Sequence, residues 1–311
     1  MKILLTGSAG FIGFHLAKLL LEKNHTVIGF DNLCVSYGVK FKKERLAILK
    51  KYKNFKFYKK DLKNIHQIKE KKINFIIHLA AQAGVRLSQN NPELFINDNI
   101  LGTVKLFEFA KNNKITNVFY ASSSSVYGNS NTYPSHEKIN TDKPLSVYGI
   151  TKSCNEDLAY YYNFVYGIST IGFRFFTVYG PYGRPDMSIG IFFKALLNKS
   201  TIYLFNRGNN FRDYTYVDDI VGQIYACIHK VKKLKNYNKV FNIGGEKTIQ
   251  IKKLLLLMEK ISNKKTKVKL IGKNKLDPAK SLANNNQIKK FTNYKKNTSM
   301  LEGLKKVYQA L

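Results

Sequence analysis

The 311-residue chain carries 52 Lys and Arg against 20 Asp and Glu, a formal net charge of +32, beside an ordinary hydrophobic fraction of 44%. That length and apolar content fit one large or two medium domains with a proper core, and no run reaches the ~18 apolar residues of a membrane span. The charge invites a polyanion partner, but the basic residues are spread along the whole chain. Their densest run, Lys264, Lys265, Lys267 and Lys269, lacks the interleaved aromatics of a single-strand surface, so no nucleic-acid partner is expected.

Nearly all of the cations are lysine. Arginine occurs only at Arg45, Arg86, Arg174, Arg184, Arg207 and Arg212, which makes these positions candidates for a planar, bidentate fork. Cys34, Cys154 and Cys227 show no metal or disulfide spacing and read as reduced thiols of a cytoplasmic protein, with no metal. The apolar N-terminal stretch is interrupted by Gly7, Ser8, Gly10 and Gly13, which argues against a signal peptide.

In chain order, residues 2–6 read as a strand that runs into Gly7-Ser8-Ala9-Gly10-Phe11-Ile12-Gly13 and then a helix over 12–22. Glycines there let the backbone turn tightly and approach a pyrophosphate, whose charge sits on the helix N-terminus. The spacing is GxxGxxG rather than the usual GxGxxG, but its place at the first strand-helix junction strengthens it. A second strand over 26–30 ends at Asp31, whose carboxylate can accept from ribose hydroxyls and would repel a 2′-phosphate, favouring NAD over NADP.

Further strands are expected over 55–58, 74–79 and 118–122, and a helix over 92–111 with apolar residues at helical spacing (Phe95, Ile96, Ile100, Val104, Phe107). A helix over 153–166 and a strand over 169–175 follow. Strand-helix alternation predicts an α/β fold with a doubly wound parallel sheet of Rossmann type. After Gly180-Pro181 the rhythm changes, with short strands over 201–205, 215–217 and 240–243 separated by helices. The expected division is a Rossmann NAD-binding domain over 1–176, with returning elements about 213–243. A smaller mixed α/β substrate-binding domain would comprise 177–212 and 244–311.

Tyr148-Gly149-Ile150-Thr151-Lys152 is a YxxxK whose i, i+4 spacing puts both side chains on one helix face. A phenol of ordinary pKa ~10 is a poor base at pH 7, but a neighbouring ammonium and a nicotinamide's positive charge would lower that value. The 118–122 strand leads into Ser122-Ser123-Ser124-Ser125, hydroxyls at the C-terminal edge of the sheet where ligands bind in such folds.

Taken together, the glycine loop, Asp31-Asn32-Leu33, Asp61-Leu62, His78-Leu79-Ala80-Ala81, the serine run before Val126-Tyr127-Gly128, the YxxxK and Arg212-Asp213-Tyr214 resemble the extended short-chain dehydrogenase/reductase family. The resemblance covers residues 1 to about 245. It implies NAD as cofactor and Ser123, Tyr148 and Lys152 as the catalytic triad. Gly7, Gly10, Phe11, Ile12, Gly13, Asp31, Asn32, Asp61, Leu62, Leu79, Ala80, Ala81, Gln82 and Asn99, together with Tyr148 and Lys152, would hold the dinucleotide. Asp61 and Leu62 would flank the adenine, and Asn99 would come from the helix behind the site.

A closer resemblance is to UDP-glucuronate 4-epimerases. It rests on Ala80-Ala81-Gln82-Ala83-Gly84-Val85-Arg86, Arg174-Phe175-Phe176-Thr177-Val178-Tyr179-Gly180-Pro181 and Gly183-Arg184-Pro185-Asp186-Met187. UDP-galactose 4-epimerases usually carry Asn where this chain has Thr177. The physical reading agrees: Thr177, Arg184, Ser124 and Ser125 would form a carboxylate pocket, Arg212 suits a diphosphate, and Arg86 suits an anionic group. Asp277 falls where the family has a Gly-Asp-Val segment near the uridine, but stands here in Leu276-Asp277-Pro278.

The implied chemistry is proton removal from the sugar C4 hydroxyl by Tyr148 as C4 is oxidised, giving a 4-keto sugar that is reduced again on its other face. Related dehydratases and decarboxylases carry an acid at the position of Ser125, and the serine run has none, so 4-epimerisation of UDP-glucuronate to UDP-galacturonate for polysaccharide biosynthesis is the expected activity. UDP-glucuronate decarboxylation and UDP-glucose/UDP-galactose 4-epimerisation are the nearest rivals. A non-catalytic NAD sensor would be expected to lose the Tyr or the Lys, and both are present. The family pairs the 92–111 and 153–166 helices in a homodimer, for which Leu101, Leu106 and Tyr161 are candidate seam residues.

Overall fold

A computed structural model describes residues 1–35, 38–232, 234–273 and 278–311. The strands in chain order are β1 Lys2–Thr6, β2 Thr26–Asp31, β3 Phe55–Lys59, β4 Phe75–His78, β5 Asn117–Ser123, β6 Ser169–Phe175, β7 Thr177–Tyr179, β8 Ile202–Leu204, β9 Phe211–Tyr216, β10 Asn238–Ile243, β11 Thr248–Gln250 and β12 Val268–Leu270. The helices are α1 Phe11–Glu22, α2 Val39–Leu49, α3 Leu87–Asn90, α4 Pro92–Phe95, α5 Gly102–Asn112, α6 Val147–Tyr166, α7 Ser188–Asn198, α8 Val217–Val231, α9 Ile251–Ser262, α10 Asn286–Thr292 and α11 Met300–Gln309.

Seven strands form one sheet in the order β10-β6-β5-β4-β1-β2-β3, every pair parallel. Parallel strands need helical crossovers, which cover both faces of the sheet. Side chains therefore alternate between two cores. Ile3 and Leu5 face the side packed by α1 and α8, while Leu4 faces the side packed by α5 and α6. The order reverses between β1 and β4, and the crevice at such a point is where ligands bind in open α/β sheets.

The remaining strands build two small sheets, β11-β9-β7 and β12-β8, over a third core that includes Phe193, Leu254 and Leu304. Strand β9 falls in the stretch expected to return to the large sheet, yet it pairs with β7 and β11 instead. Within that stretch α8 and β10 do return.

Three further expectations are corrected. The helix expected over 92–111 is interrupted: residues 96–101 form a π-helical segment between α4 and α5, a widened turn that leaves the apolar spacing nearly unchanged. Helix α6 starts earlier than 153, because the Ser146 hydroxyl caps it by accepting from the Gly149 N–H at 3.0 Å. Leu106 is fully buried in the core and is unavailable to a seam, whereas Leu101 and Tyr161 are exposed. The three cysteines are unbridged, and no helix among the described residues is long and apolar enough to cross a membrane.

Candidate active site

Along the C-terminal edge of the large sheet runs a cleft of about 430 Å³, within the usual range for small-molecule sites. The glycine loop forms one wall. Gly7 has φ +71°, and a Cβ there would stand 2.7 Å from the Ala80 nitrogen. A Cβ on Gly13 would stand 2.1 Å from the Gly7 carbonyl oxygen. Neither position has room for a side chain, so the first turn of α1 lies against the end of β1, and Phe11, Ile12 and Gly13 present it to the cleft. Gly10, the N-cap residue, brings no side-chain cap to that turn. Such a cradle suits a pyrophosphate.

Asp31 closes this wall. Its carboxylate accepts from the N–H groups of Ala9 at 3.2 Å and Leu33 at 2.8 Å. Asn32 donates to Asp61 at 3.0 Å, and Asp61 in turn accepts from the Lys63 N–H at 3.0 Å, ordering the short turn that begins at Leu62. Leu79, Ala80, Ala81 and Gln82 continue from β4 along the cleft floor. The set can hold an adenosine and its diphosphate: a side-chain-free cradle, an acid at the end of the second strand and a pocket beside Leu62.

Asn99 is placed differently from the other expected residues. It is fully buried and stands off the cleft wall. Its amide accepts from the Gln82 N–H at 2.7 Å, donates to the Gln82 carbonyl at 3.0 Å, and donates to Thr151 Oγ at 3.0 Å. Its contacts tie the loop after β4 to α6. Asp277 lies outside the described residues.

At the other end of the cleft stand Ser123, closing β5, and Tyr148 and Lys152 on α6. The Ser123 hydroxyl donates to Ser125 Oγ at 3.1 Å, and Ser123 hydrogen-bonds Tyr148. Burial pushes the Tyr148 phenol above its ordinary value, while the Ser123 hydrogen bond and the positive charge of Arg184 pull it back. Lys152 stands beside this phenol. Its ammonium donates to the Ala121 carbonyl at 2.9 Å, lies 5.8 Å from the Tyr148 ring centre, and is itself lowered to about 8 by burial.

Arg184 lines the cleft with Ser124, Ser125 and Thr177. Its Nε and Nη2 donate to the two Asp186 oxygens at 3.0 and 2.6 Å, and Nη2 also reaches the Ala83 carbonyl at 3.3 Å. Arg86 stacks on the Phe205 ring at 4.3 Å, and Arg212 lines the cleft from β9. The serine run is held from behind by a buried ion pair. Arg174 binds both oxygens of Glu156 at 2.9 and 2.6 Å, and Glu156 accepts from Ser122 at 2.5 Å.

A model of the NAD dependent epimerase/dehydratase family matches residues 3–244. The chain belongs to this family. It is 44% identical over 98% of its length to an uncharacterized protein of Methanocaldococcus jannaschii, covering 94% of that protein. It is 40% identical over 97% of its length to a UDP-glucuronate 4-epimerase of Thermodesulfobacterium geofontis, again covering 94%. Among solved structures, UDP-glucuronic acid 4-epimerase of Bacillus cereus, in complex with UDP-glucuronic acid and NAD, superposes with a TM-score of 0.91. It is 31% identical, with 100% of this chain and 98% of that chain covered.

Within this family fold, Lys42 of α2 went unrecognised in the sequence, and Arg45 was singled out only as one of the six arginines. Lys42 lies 3.6 Å from Asp31 and 3.1 Å from Cys34 Sγ, on the cleft wall. Arg45 is fully buried beneath the glycine loop. The scarcity of arginine marks Arg45, but no local pattern marks Lys42 among so many lysines.

Proposed function

We propose that this chain is an NAD-dependent UDP-sugar 4-epimerase whose substrate is UDP-glucuronate and whose product is UDP-galacturonate. The observation that carries the acidic sugar is Arg184: its charge reaches Tyr148, and it shares the cleft with the hydroxyls of Ser124, Ser125 and Thr177. A sugar whose C4 hydroxyl meets Tyr148 then offers its C5 carboxylate to this group. A neutral hexose would bring no carboxylate to Arg184.

NAD, when bound, supplies reversible oxidation at the sugar C4. The remaining chemistry falls to the chain. The glycine loop, Asp31, Asn32, Asp61, Leu62 and the segment from Leu79 to Gln82 hold the dinucleotide, and Asn99 fixes that segment from behind. Tyr148 takes the proton from the C4 hydroxyl, and Ser123 hydrogen-bonds the same oxygen and keeps it aligned. Lys152 keeps its ammonium at the inner end of the cleft, where it can meet the cofactor's ribose. Arg212 and Arg86 meet the UDP diphosphate. Residues 1–176 with α8 and β10 form the dinucleotide-binding unit, and the small sheets with α7, α9 and α11 form the substrate-binding unit.

The protein works as a homodimer in the cytoplasm and supplies a UDP-activated uronate to polysaccharide biosynthesis. Leu101, Tyr160, Tyr161 and Phe164 support the dimer, since these large side chains on the π segment and α6 are between 48% and 76% exposed. Incubating the protein with UDP-glucuronate and resolving the products chromatographically tests the assignment. A mixture with UDP-galacturonate supports it. Recovery of unchanged UDP-glucuronate, with turnover of UDP-glucose instead, would reject the acidic substrate.

A further inference from the structure

Arg45 sits in α2 with its side chain fully buried. Nη1 donates to the Ala9 carbonyl at 3.1 Å. Nε and Nη2 both donate to the Tyr182 carbonyl, at 3.1 and 2.6 Å, and Nη2 also reaches the Gly183 carbonyl at 3.4 Å. One guanidinium therefore grips two loops: the glycine loop between β1 and α1, and the 180–187 loop between β7 and α7, immediately before Arg184. Removing an arginine from water is costly, so a fold that retains one gains something specific from it.

The 180–187 loop has further ties close to Arg184. The Pro181 carbonyl accepts from His15 Nε2 at 2.9 Å, and burial, the largest influence on His15, lowers it to about 4, keeping the ring neutral. The Tyr182 ring packs edge-on against Phe14 at 5.4 Å, and its backbone takes a left-handed φ of +54°. Beyond Arg184, its carbonyl accepts from the Met187 N–H at 3.4 Å. Three consecutive residues before Arg184 thus have their carbonyls held by α1 and α2, and the middle one, Tyr182, takes a conformation that costs energy for a residue with a side chain. Arg45 itself stands off the cleft wall.

We propose that Arg45 is a positioning residue for sugar selectivity, fixing the backbone of the 180–187 loop so that Arg184 is presented to the sugar-binding end of the cleft. The inference rests on the reading that Arg184 meets the sugar carboxylate. Because the same guanidinium holds Ala9, it also registers the sugar-reading loop against the dinucleotide-binding loop. A lysine would keep the charge but lose the fork that grips two loops at once.

The test uses the full-length protein with NAD bound and compares Arg45→Lys with the unaltered chain. Two quantities are read: the ratio of Kd for UDP-glucose to Kd for UDP-glucuronate, and amide hydrogen exchange across residues 181–187. The expected result is at least a fivefold fall in the ratio, with faster exchange in that loop and unchanged exchange in β1 and α6. An unaltered ratio with unaltered loop exchange in a folded variant overturns the proposal. Should Arg45→Lys fail to fold, His15→Asn loosens the same loop at Pro181 and is read the same way. Arg184→Ala separates the two layers of the argument. If it leaves the ratio intact, the carboxylate reading has failed, and loop exchange alone then decides whether Arg45 holds the loop. If it abolishes the ratio while Arg45→Lys does not, only the role of Arg45 is overturned.

Discussion

Replacing Arg184 by alanine should separate two effects that the proposed function gives to one side chain. The first is recognition. The Arg184 side chain is 17% exposed and Asp186 orients its fork, so a carboxylate that meets it does so with little competing water. Loss of a charged hydrogen bond in such a place costs about 1.5–3 kcal/mol, or roughly tenfold to a hundredfold in kcat/KM for UDP-glucuronate. UDP-glucose binding should change little, and Arg184→Lys should recover only part of the loss. The second effect is electrostatic. Arg184 helps to hold the Tyr148 phenol down, so without it the phenol rises further above its ordinary value. Because Tyr148 must be deprotonated to act, the rising limb of the pH-rate profile should move to higher pH, whatever the sugar. Steady-state kinetics across pH, with Kd values for both UDP-sugars, distinguishes the two effects. A 4-keto uronate is a β-keto acid, and a carboxylate no longer held in the ring plane is better aligned to leave, so CO2 release should rise as epimerisation falls. Equal losses for the acidic and neutral sugars, with no shift in the profile, would refute the reasoning.

Three further outcomes follow. Tyr148→Phe should lower kcat by ~10²–10⁴ with UDP-glucuronate affinity largely intact; near-normal turnover would place the base elsewhere. Sedimentation at micromolar concentration should show a dimer, and Phe164→Glu, on a residue 76% exposed, should yield monomer; a monomeric unaltered protein would count against the seam. His78 is fully buried between Thr6 and Thr103, and burial, helped by the charge of Lys152, lowers it to about 3. The unfolded chain binds a proton near pH 6.5 that the fold excludes, so stability is retained above that pH and falls on acidification, by about 1.4 kcal/mol per unit until pH 3. Taking the pH from 7.5 to 5 should cost ~2 kcal/mol from this residue, and the denaturant midpoint of His78→Gln should depend less steeply on pH. Identical slopes would contradict this, with His15 contributing equally to both proteins.

The sheet and the site differ in how far the sequence exposes them. Strands such as β1 and β4 are covered on both faces, so they read as short continuous apolar runs, and their alternation with helices is visible without any partner. The glycine loop and the YxxxK are local too, each set by spacing along one element. Helix α2 escapes for a physical reason: among its buried positions are Lys42 and Arg45 beside Leu46 and Leu49, so half of its inward face looks like surface. The pairing of β9 with β7 and β11 depends on strands distant in sequence. The same is true of Tyr148, whose environment comes from Ser123 on β5 and Arg184 on a distant loop. Spacing also cannot tell Leu101 from Leu106, because Leu101 closes the π segment while Leu106 lies in the regular helix α5.

The central claim is that C4 is oxidised and re-reduced on its opposite face within one closed site. The most direct test is to incubate UDP-glucuronate carrying deuterium at C4 with the protein and follow the label by NMR and mass spectrometry. The account predicts UDP-galacturonate that retains essentially all of the deuterium at C4, with no net reduction of added NAD. Loss of the label to water, or UDP-galacturonate absent beside a UDP-pentose and CO2 as the main products, would contradict it.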